Sequence, residues 1–526
     1  LCHIEQKKQF TILSLTSKWY SKFNLEQSEN HMEKDYSDIF IIGGGINGAG
    51  IAADAAQRGL SVTLCEKNDL AGATSSASSK LIHGGLRYLE TYDFKLVRAA
   101  LQEREILLKN APHLISPLEF ILPHEKHLRP AWIIRIGLFL YDHLASHPSL
   151  PNSKKINLQT DARGKALKEE FKVGFSYYDC FADDARLVIA NAIAAHENHA
   201  SILTRTECIS AHYENNLWRI ALKKAHSNEI FYRHAKVLIN AAGPWAAEVQ
   251  KNIIHTHNPF SIELVKGSHI TVPKLYEGDF AYILQNADNR VVFAIPFQNA
   301  FTLIGTTDVA YTGNLTDVKP SREEEDYLLA TANHYFKKSL SNKDINWSYA
   351  GVRCLQREEK NKLSELSRDY KLQFLPNPPL LTVISGKVTT YRRLAKEAVD
   401  LLTPVFPHLP ASSTANNSLP GGNLGTKHFS DFYKQMQHQY SWLPKELLLR
   451  FAKNYGSRIH LLLQDASSLS DLGEEFAPNL YQKEVEYLIT HEWAQTSDDI
   501  LWRRTKLGLF LTESDTQRLE NWLDIY

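Results

Sequence analysis

The stretch that decides the fold is "DIFIIGGGINGAGIAADAAQRGLSVTLCEK", residues 38–67. Asp38 to Ile42 is a short β-branched and aromatic run, the composition of a buried parallel strand. Gly43, Gly45 and Gly48 follow as G-x-G-x-x-G, and the alanine-rich segment after them stops at Gly59, as a helix with a glycine end does. Ser61 to Cys65 read as a second strand, and Glu66 stands 23 positions after Gly43. In such a unit Gly43 permits the tight turn, Gly45 lets the backbone approach a pyrophosphate, and Gly48 lets helix pack closely on strand. The helix N-terminus offers amides and positive dipole to phosphates, while Glu66 is placed to accept from a ribose diol. Strand, turn, helix, strand and acid in register predict a doubly wound α/β unit that holds a dinucleotide.

Working outward, the chain has 526 residues, enough for two or three domains. Lys plus Arg equal Asp plus Glu at 59 each, so overall charge offers no reason to expect nucleic acid or an anionic surface as partner. Cys2, Cys65, Cys180, Cys208 and Cys354 are scattered, without a CxxC pair or histidines at zinc-like spacing. Neither a disulfide framework nor a metal site is expected, and a reducing compartment fits. The only methionines are Met32 and Met436, so translation is expected to begin at Met32, with residues 1–34 a leader without fold. No segment has the roughly 20 apolar residues of a spanning helix. The apolar "RPAWIIRIGLFLYDHLA" (129–145) is interrupted by Arg135 and is expected to be a buried helix, with a membrane-surface helix as the alternative.

The fingerprint alone does not separate NAD from FAD. After it comes "ATSSASSKLIHGGLRYLE" (73–90), whose hydroxyls and glycines suit a buried loop wrapped around a second set of cofactor oxygens. "AKVLINAAGPWA" (235–246) is a strand running into small residues and a Gly-Pro turn, as needed where backbone passes a flat ring. "LLTVISGKVTTYRRLAKEAVD" (380–400) is another strand-glycine-helix unit, its helix start suited to charge collecting on a reduced ring.

With these blocks the sequence resembles the FAD-dependent, quinone-linked glycerol-3-phosphate dehydrogenases. The resemblance is carried further by "DDARLV" (183–188), "KGSHI" (266–270), "AYILQN" (281–286), "IGTTD" (304–308), "GVR" (351–353) and "DDILWRRTKLG" (498–508), and so runs from about residue 35 to the C-terminus. It implies a Rossmann-like FAD-binding domain of D-amino-acid-oxidase type, a β-rich substrate domain and a C-terminal helical domain. The cofactor residues it implies in the first half are Gly43, Gly45, Ile46, Asn47, Gly48, Glu66, Lys67, Thr74, Ser75, Ser79, Lys80, Leu81, His83, Gly84 and Gly85. Those in the second half are Ala242, Gly243, Trp245, Gly386, Lys387, Val388 and Thr389. The substrate constellation is Arg87, Tyr88, His269, Arg353, Lys387 and Thr390, with His269, Arg353 and Lys387 as catalytic residues. Arg353 and Arg87 suit an anion clamp, because a guanidinium fork matches phosphate oxygens. His269 is the expected general base, since imidazole titrates near working pH; Lys387, tuned by burial, is the alternative.

The activity implied is oxidation of sn-glycerol 3-phosphate to dihydroxyacetone phosphate with hydride transfer to FAD. Electrons would pass to ubiquinone or menaquinone from a peripheral site on the inner face of the cytoplasmic membrane, and a homodimer is among the implied assemblies. The alternatives are an oxygen-dependent glycerol 3-phosphate oxidase, an amino-acid oxidase of the same fold, and a flavin-binding factor without turnover. Two positions depart from the family pattern: Cys354 stands where proline is common, and Ser385 where a second glycine is.

The expected organisation is an FAD domain assembled from 35–112, 172–258 and 350–403, with 113–171 and 259–349 as substrate domain. Residues 259–310 read as an antiparallel sheet. A Pro-, Ser- and Gly-rich linker spans 404–424, and 425–526 is mostly helical, with apolar residues at three-four spacing.

Overall fold

A computed structural model describes residues 35–86, 93–125, 129–144, 149–256, 260, 262–288, 290–356, 369–426 and 428–526. The expected leader, and with it the start at Met32, lies outside the described residues, as do Arg87 and Tyr88.

The opening stretch folds as read. Strand β1 (Tyr36–Ile42), helix α1 (Ile46–Gln57) and strand β2 (Val62–Cys65) follow one another, and Arg58 and Gly59 end the helix. Ile39, Phe40 and Ile41 are fully buried, each removal of such a side chain from water being worth about 1.5–3 kcal/mol. Two glycines are obligatory here. Gly43 has φ +112°, and a Cβ on it would lie 2.6 Å from Ala241 O; on Gly48 it would lie 1.9 Å from Gly43 O.

The first sheet runs β17-β18-β10-β1-β2-β7. Here β7 is Ser201–Leu203, β10 Ile230–Asn240, β17 Lys371–Pro376 and β18 Pro379–Ile384. The inner pairs are parallel, and helix α1 packs against α4 (Asp184–Glu197) and α6 (Tyr391–Asp400). Strands β8 (Thr206–Glu214) and β9 (Leu217–Lys224) extend this sheet from β10.

The second sheet runs β15-β11-β14-β13-β12-β4-β6-β3, with β16 on β11 and β5 on β6. Its early strands are β3 (Leu81–Ile82), β4 (Ile115–Pro123), β5 (Lys154–Asn157) and β6 (Val173–Ala182). Its later ones are β11 (Ile262–Pro273), β12 (Phe280–Gln285), β13 (Val291–Phe297), β14 (Phe301–Gly305), β15 (Val309–Ala310) and β16 (Trp347–Gln356). Strands β11 to β14 pair antiparallel, as the alternation in 259–310 suggests. Strand β6 belongs to this sheet, although the expected FAD-domain segment begins at 172. The reason is register: β6 pairs with β4 from Gly174 to Ala182, and α4 then carries the chain back to the first sheet.

Helix α2 (Phe94–Asn110) and helix α3 (Ala131–Leu144) flank the second sheet, and α5 (Arg322–Tyr335) covers its other side. The expectation that 129–145 is a buried helix is corrected. Only Leu138 and Tyr141 of α3 are buried, whereas Trp132, Ile136 and Phe139 are 65%, 50% and 52% exposed. A 14-residue helix on the rim has a single face to pack, and this one is apolar on both.

The segment expected as a linker, 404–424, is docked rather than loose. Ser412 Oγ binds Asp54 of α1, and the Thr414 carbonyl accepts from Asn110 Nδ2 at 2.9 Å. Beyond it α7 (Phe429–Gln439), α8 (Lys445–Tyr455), α9 (Gln482–Glu492) and α10 (Glu513–Leu523) enclose a separate core that includes Phe451, Leu462, Val485 and Leu488. This helical unit grips the first through buried ions. Arg503 Nε lies 2.5 Å and Arg504 Nη2 2.8 Å from Asp69, while Arg205 Nη2 lies 2.7 Å from Asp499.

Candidate active site

One cavity of about 1170 Å³ runs between the two sheets, larger than the usual small-ligand pocket of about 300–1,000 Å³. At one end lies the glycine turn. Gly43, Gly45, Ile46 and Asn47 line it, and the N-cap of α1, Gly45, has no side chain to cover the helix start that faces the cavity. Ser75 Oγ accepts from Ile46 N at 3.0 Å, so the serine-rich loop closes on the same turn. Glu66 lines the wall and is already engaged: Oε2 accepts from Gly44 N at 2.8 Å and Oε1 from Asn68 N at 2.9 Å. Burial raises its pKa, against the pull of those two amides.

Lys67 and Trp245 stand over the same end, with Nζ 4.3 Å from the ring centroid; Ala242 and Gly243 complete that wall. Thr206, Glu207 and Cys208 of β8 also line it. They carry no motif and could be found only by knowing that β8 starts beside β2.

Further along, Thr74, Ser79, Leu81, His83 and Gly85 line the cavity. Gly48 and Gly84 lie behind it, the first packing helix on strand and the second donating its N–H to Tyr141 Oη at 2.8 Å. Lys80 is also behind the wall: its Nζ is buried, 2.9 Å from Asp184 Oδ1, and it braces the loop from outside. On the opposite side Gly386, Lys387, Val388 and Thr389 line the cavity ahead of α6. Lys387 is half-buried rather than buried. Thr390 is buried just behind.

The far end holds His269 and Arg353. Strands β11 and β16 pair antiparallel with His269 opposite Tyr349 and Val265 opposite Arg353, which puts both functional side chains on neighbouring strands. The imidazole stacks on Tyr349 with centroids 4.8 Å apart, and its Nε2 lies 2.9 Å from Ser79 Oγ. Burial, with Lys80 and Arg353 nearby, holds its pKa well below the usual histidine value, so the ring is neutral. Arg353 Nη1 is paired with Asp308, which also lines the cavity. Asp308 ends the "IGTTD" block, which carries the resemblance without assigning that acid a role.

The residues present fit a flavin dinucleotide. The glycine cradle leaves no room for side chains, and among the described residues Asn47 Oδ1 is buried facing this region without a hydrogen-bond partner. Such an atom is expensive to leave unmet unless a ligand donor reaches it. Cys354 is buried beside Arg353, and burial pushes its thiol pKa up.

Comparison with known proteins agrees. Residues 38–375 match the FAD-dependent oxidoreductase family, and residues 412–526 match the C-terminal domain of alpha-glycerophosphate oxidase. The glycerol-3-phosphate dehydrogenase of Pseudomonas aeruginosa is 51% identical over 92% of this chain and 94% of its own. The chain belongs to the FAD-dependent glycerol-3-phosphate dehydrogenase family. The aerobic enzyme of that name from Escherichia coli is 48% identical, covering 93% of this chain and 97% of its own. A D-erythritol 1-phosphate dehydrogenase of Brucella abortus is 44% identical, covering 94% and 98%. Among solved structures, the glycerol-3-phosphate dehydrogenase of Bacillus halodurans in complex with FAD superposes with a TM-score of 0.73 at 27% identity, covering 94% of this chain and 95% of that one. The cofactor of the family is FAD, and the protein is an oxidoreductase.

Proposed function

We propose that the protein oxidises sn-glycerol 3-phosphate to dihydroxyacetone phosphate. The observation that carries this reading is that Arg353, His269 and Lys387 line the same cavity as the dinucleotide cradle. Bound FAD supplies the hydride acceptor, held by the glycine turn, Glu66 and the loop ahead of α6. Arg353 takes the phosphate, a dianion its planar fork suits, and Lys387 adds a second cation from the opposite wall. Neutral His269 is competent to accept the hydroxyl proton at Nε2, directly or through the hydroxyl of Ser79, which lines the cavity beside it. Ser79 and the Tyr349 ring fix the imidazole plane, so the base is oriented before substrate enters. Arg87 and Tyr88 complete the constellation in this reading.

The test is anaerobic addition of glycerol 3-phosphate to the yellow holoenzyme, with D-erythritol 1-phosphate in parallel. Bleaching by glycerol 3-phosphate at lower concentration is expected; bleaching only by the longer polyol phosphate, or by an amino acid, would overturn the substrate.

Ubiquinone or menaquinone is the electron acceptor in this reading, with the protein peripheral on the inner face of the cytoplasmic membrane. No helix among the described residues is long and apolar enough to span a bilayer. The exposed Trp132, Ile136, Phe139 and Leu140 of α3 support docking on a lipid surface. Trp132→Glu with Phe139→Glu is expected to abolish sedimentation with liposomes while dye-linked turnover persists. Stoichiometric peroxide in air would point instead to the oxidase.

A further inference from the structure

Behind the substrate end lies a buried lattice. Glu324, in the first turn of α5, accepts from Ser268 Oγ at 2.9 Å and Thr307 Oγ1 at 2.6 Å and pairs with Lys266 Nζ at 2.7 Å. Thr307 Oγ1 accepts in turn from Ser268 N at 3.0 Å. The segment after β14 is therefore pinned to β11 from the back, and the next residue, Asp308, is directed at Arg353. The guanidinium lies against Gly267, where a Cβ would come within 2.4 Å of Nη2. Both members of the Asp308–Arg353 pair line the cavity, and each side chain is 28% exposed.

A carboxylate placed this way claims the cation that the phosphate needs. Water reaches the pair and partly screens it, and a dianion offering two oxygens to one fork can compete for the guanidinium. We propose that Asp308 is a specificity-determining residue. Its carboxylate holds the Arg353 guanidinium while the cavity lacks phosphate, yields it when the substrate enters, and reclaims it as the phosphorylated product leaves. Binding then exchanges one anion for another. Ordinary anions compete poorly for Arg353, and the product, which carries the same phosphate, does not stay.

This rests on the reading that Arg353 holds the phosphate, and the experiment separates the two. Inorganic phosphate binding to the holoenzyme is measured by calorimetry and as competitive inhibition, in the native protein, Asp308→Asn, Asp308→Ser, Asp308→Glu and Arg353→Gln. With the competing carboxylate gone, the Asn and Ser variants are expected to bind phosphate roughly tenfold more tightly, with KM and kcat for glycerol 3-phosphate both lowered as product is retained. Asp308→Glu keeps the charge and is expected to stay within roughly twofold of the native affinity. A merely structural role would raise KM and weaken phosphate binding. Unchanged or weaker phosphate binding in an Asn or Ser variant that retains its flavin overturns the proposal. If instead Arg353→Gln binds phosphate as well as the native protein, it is the assignment of Arg353 that fails.

Discussion

At the nucleotide end of the cavity the cradle at the glycine turn is main chain, from Gly43, Gly45 and the first turn of α1, with Glu66 accepting from Gly44 N behind it. At the substrate end it is side chain, with His269, Arg353 and Asp308 arriving on β11, β16 and the turn after β14. Backbone sites are intolerant of any added atom but indifferent to most neighbouring side chains. Side-chain sites tolerate substitution structurally and lose chemistry instead. The two ends should therefore fail in different ways when mutated.

The largest effect is expected at the backbone end. Gly48→Val places a Cβ 1.9 Å from Gly43 O, a distance no adjustment of a side chain can relieve. The variant is expected to purify without visible flavin absorbance, and retention of stoichiometric FAD would show that the turn can move. At the other end His269→Gln is expected to keep its flavin while kcat falls by roughly 10²–10⁴-fold, the usual contribution of a positioned base. Loss of flavin from that variant, with no isolated fall in turnover, would erase the contrast.

A third test concerns what holds the two ends in register. Asp69, three residues after Glu66, is gripped by Arg503 and Arg504 of the helical unit, and Asp499 is bound by Arg205. Burial alone would raise the Asp499 pKa, but Arg504, Arg503 and Arg205 with the Gln495 amide bring it down to about 2 from 3.8. A depressed carboxylate stabilises the fold fully above its unfolded pKa and loses that contribution as pH falls through the folded one. The advantage of the native protein over Asp499→Asn is thus expected to be on the order of 2 kcal/mol at pH 5 and to shrink toward zero near pH 2, read by urea denaturation. A difference that does not vary with pH would show that Asp499 acts through packing.

This division also explains what the sequence made legible. The nucleotide end is contiguous: one strand, turn and helix carry the glycines at fixed spacing, so Gly43, Gly45 and Gly48 could be placed without knowing the fold. His269 and Arg353 are 84 residues apart and meet only because β11 pairs with β16, so they are legible by block resemblance and not by pattern. Asp308 had no pattern at all, because an ion pair across a sheet leaves no periodicity. Lys80 differs in the other direction. It sits within a cofactor loop, but a cation at a buried left-handed position, φ 58°, turned to the acid behind it rather than to the cavity. The exposed face of α3 is not legible in the sequence, because apolar residues on both sides of a helix fit a buried element as well as a rim one.

The smallest effect is expected where the two ends meet, at Ser385, and its sign is informative. Ser385 adopts φ 68° just ahead of Gly386, and its carbonyl accepts from Asn47 Nδ2 at 3.1 Å, tying the loop that starts α6 to the first turn of α1. A non-glycine residue in the left-handed region costs about 1 kcal/mol or more, so Ser385→Gly relieves strain in the folded protein. The same change frees the unfolded chain, which offsets about 0.4–1 kcal/mol of that gain. The net expectation is a rise in Tm of about 1 °C with flavin retention unchanged, because the tie to Asn47 uses main chain that glycine keeps. A fall in Tm would mean that the serine side chain, not only the carbonyl, holds the junction. The contrast between a main-chain end and a side-chain end would then break down at the point where they join.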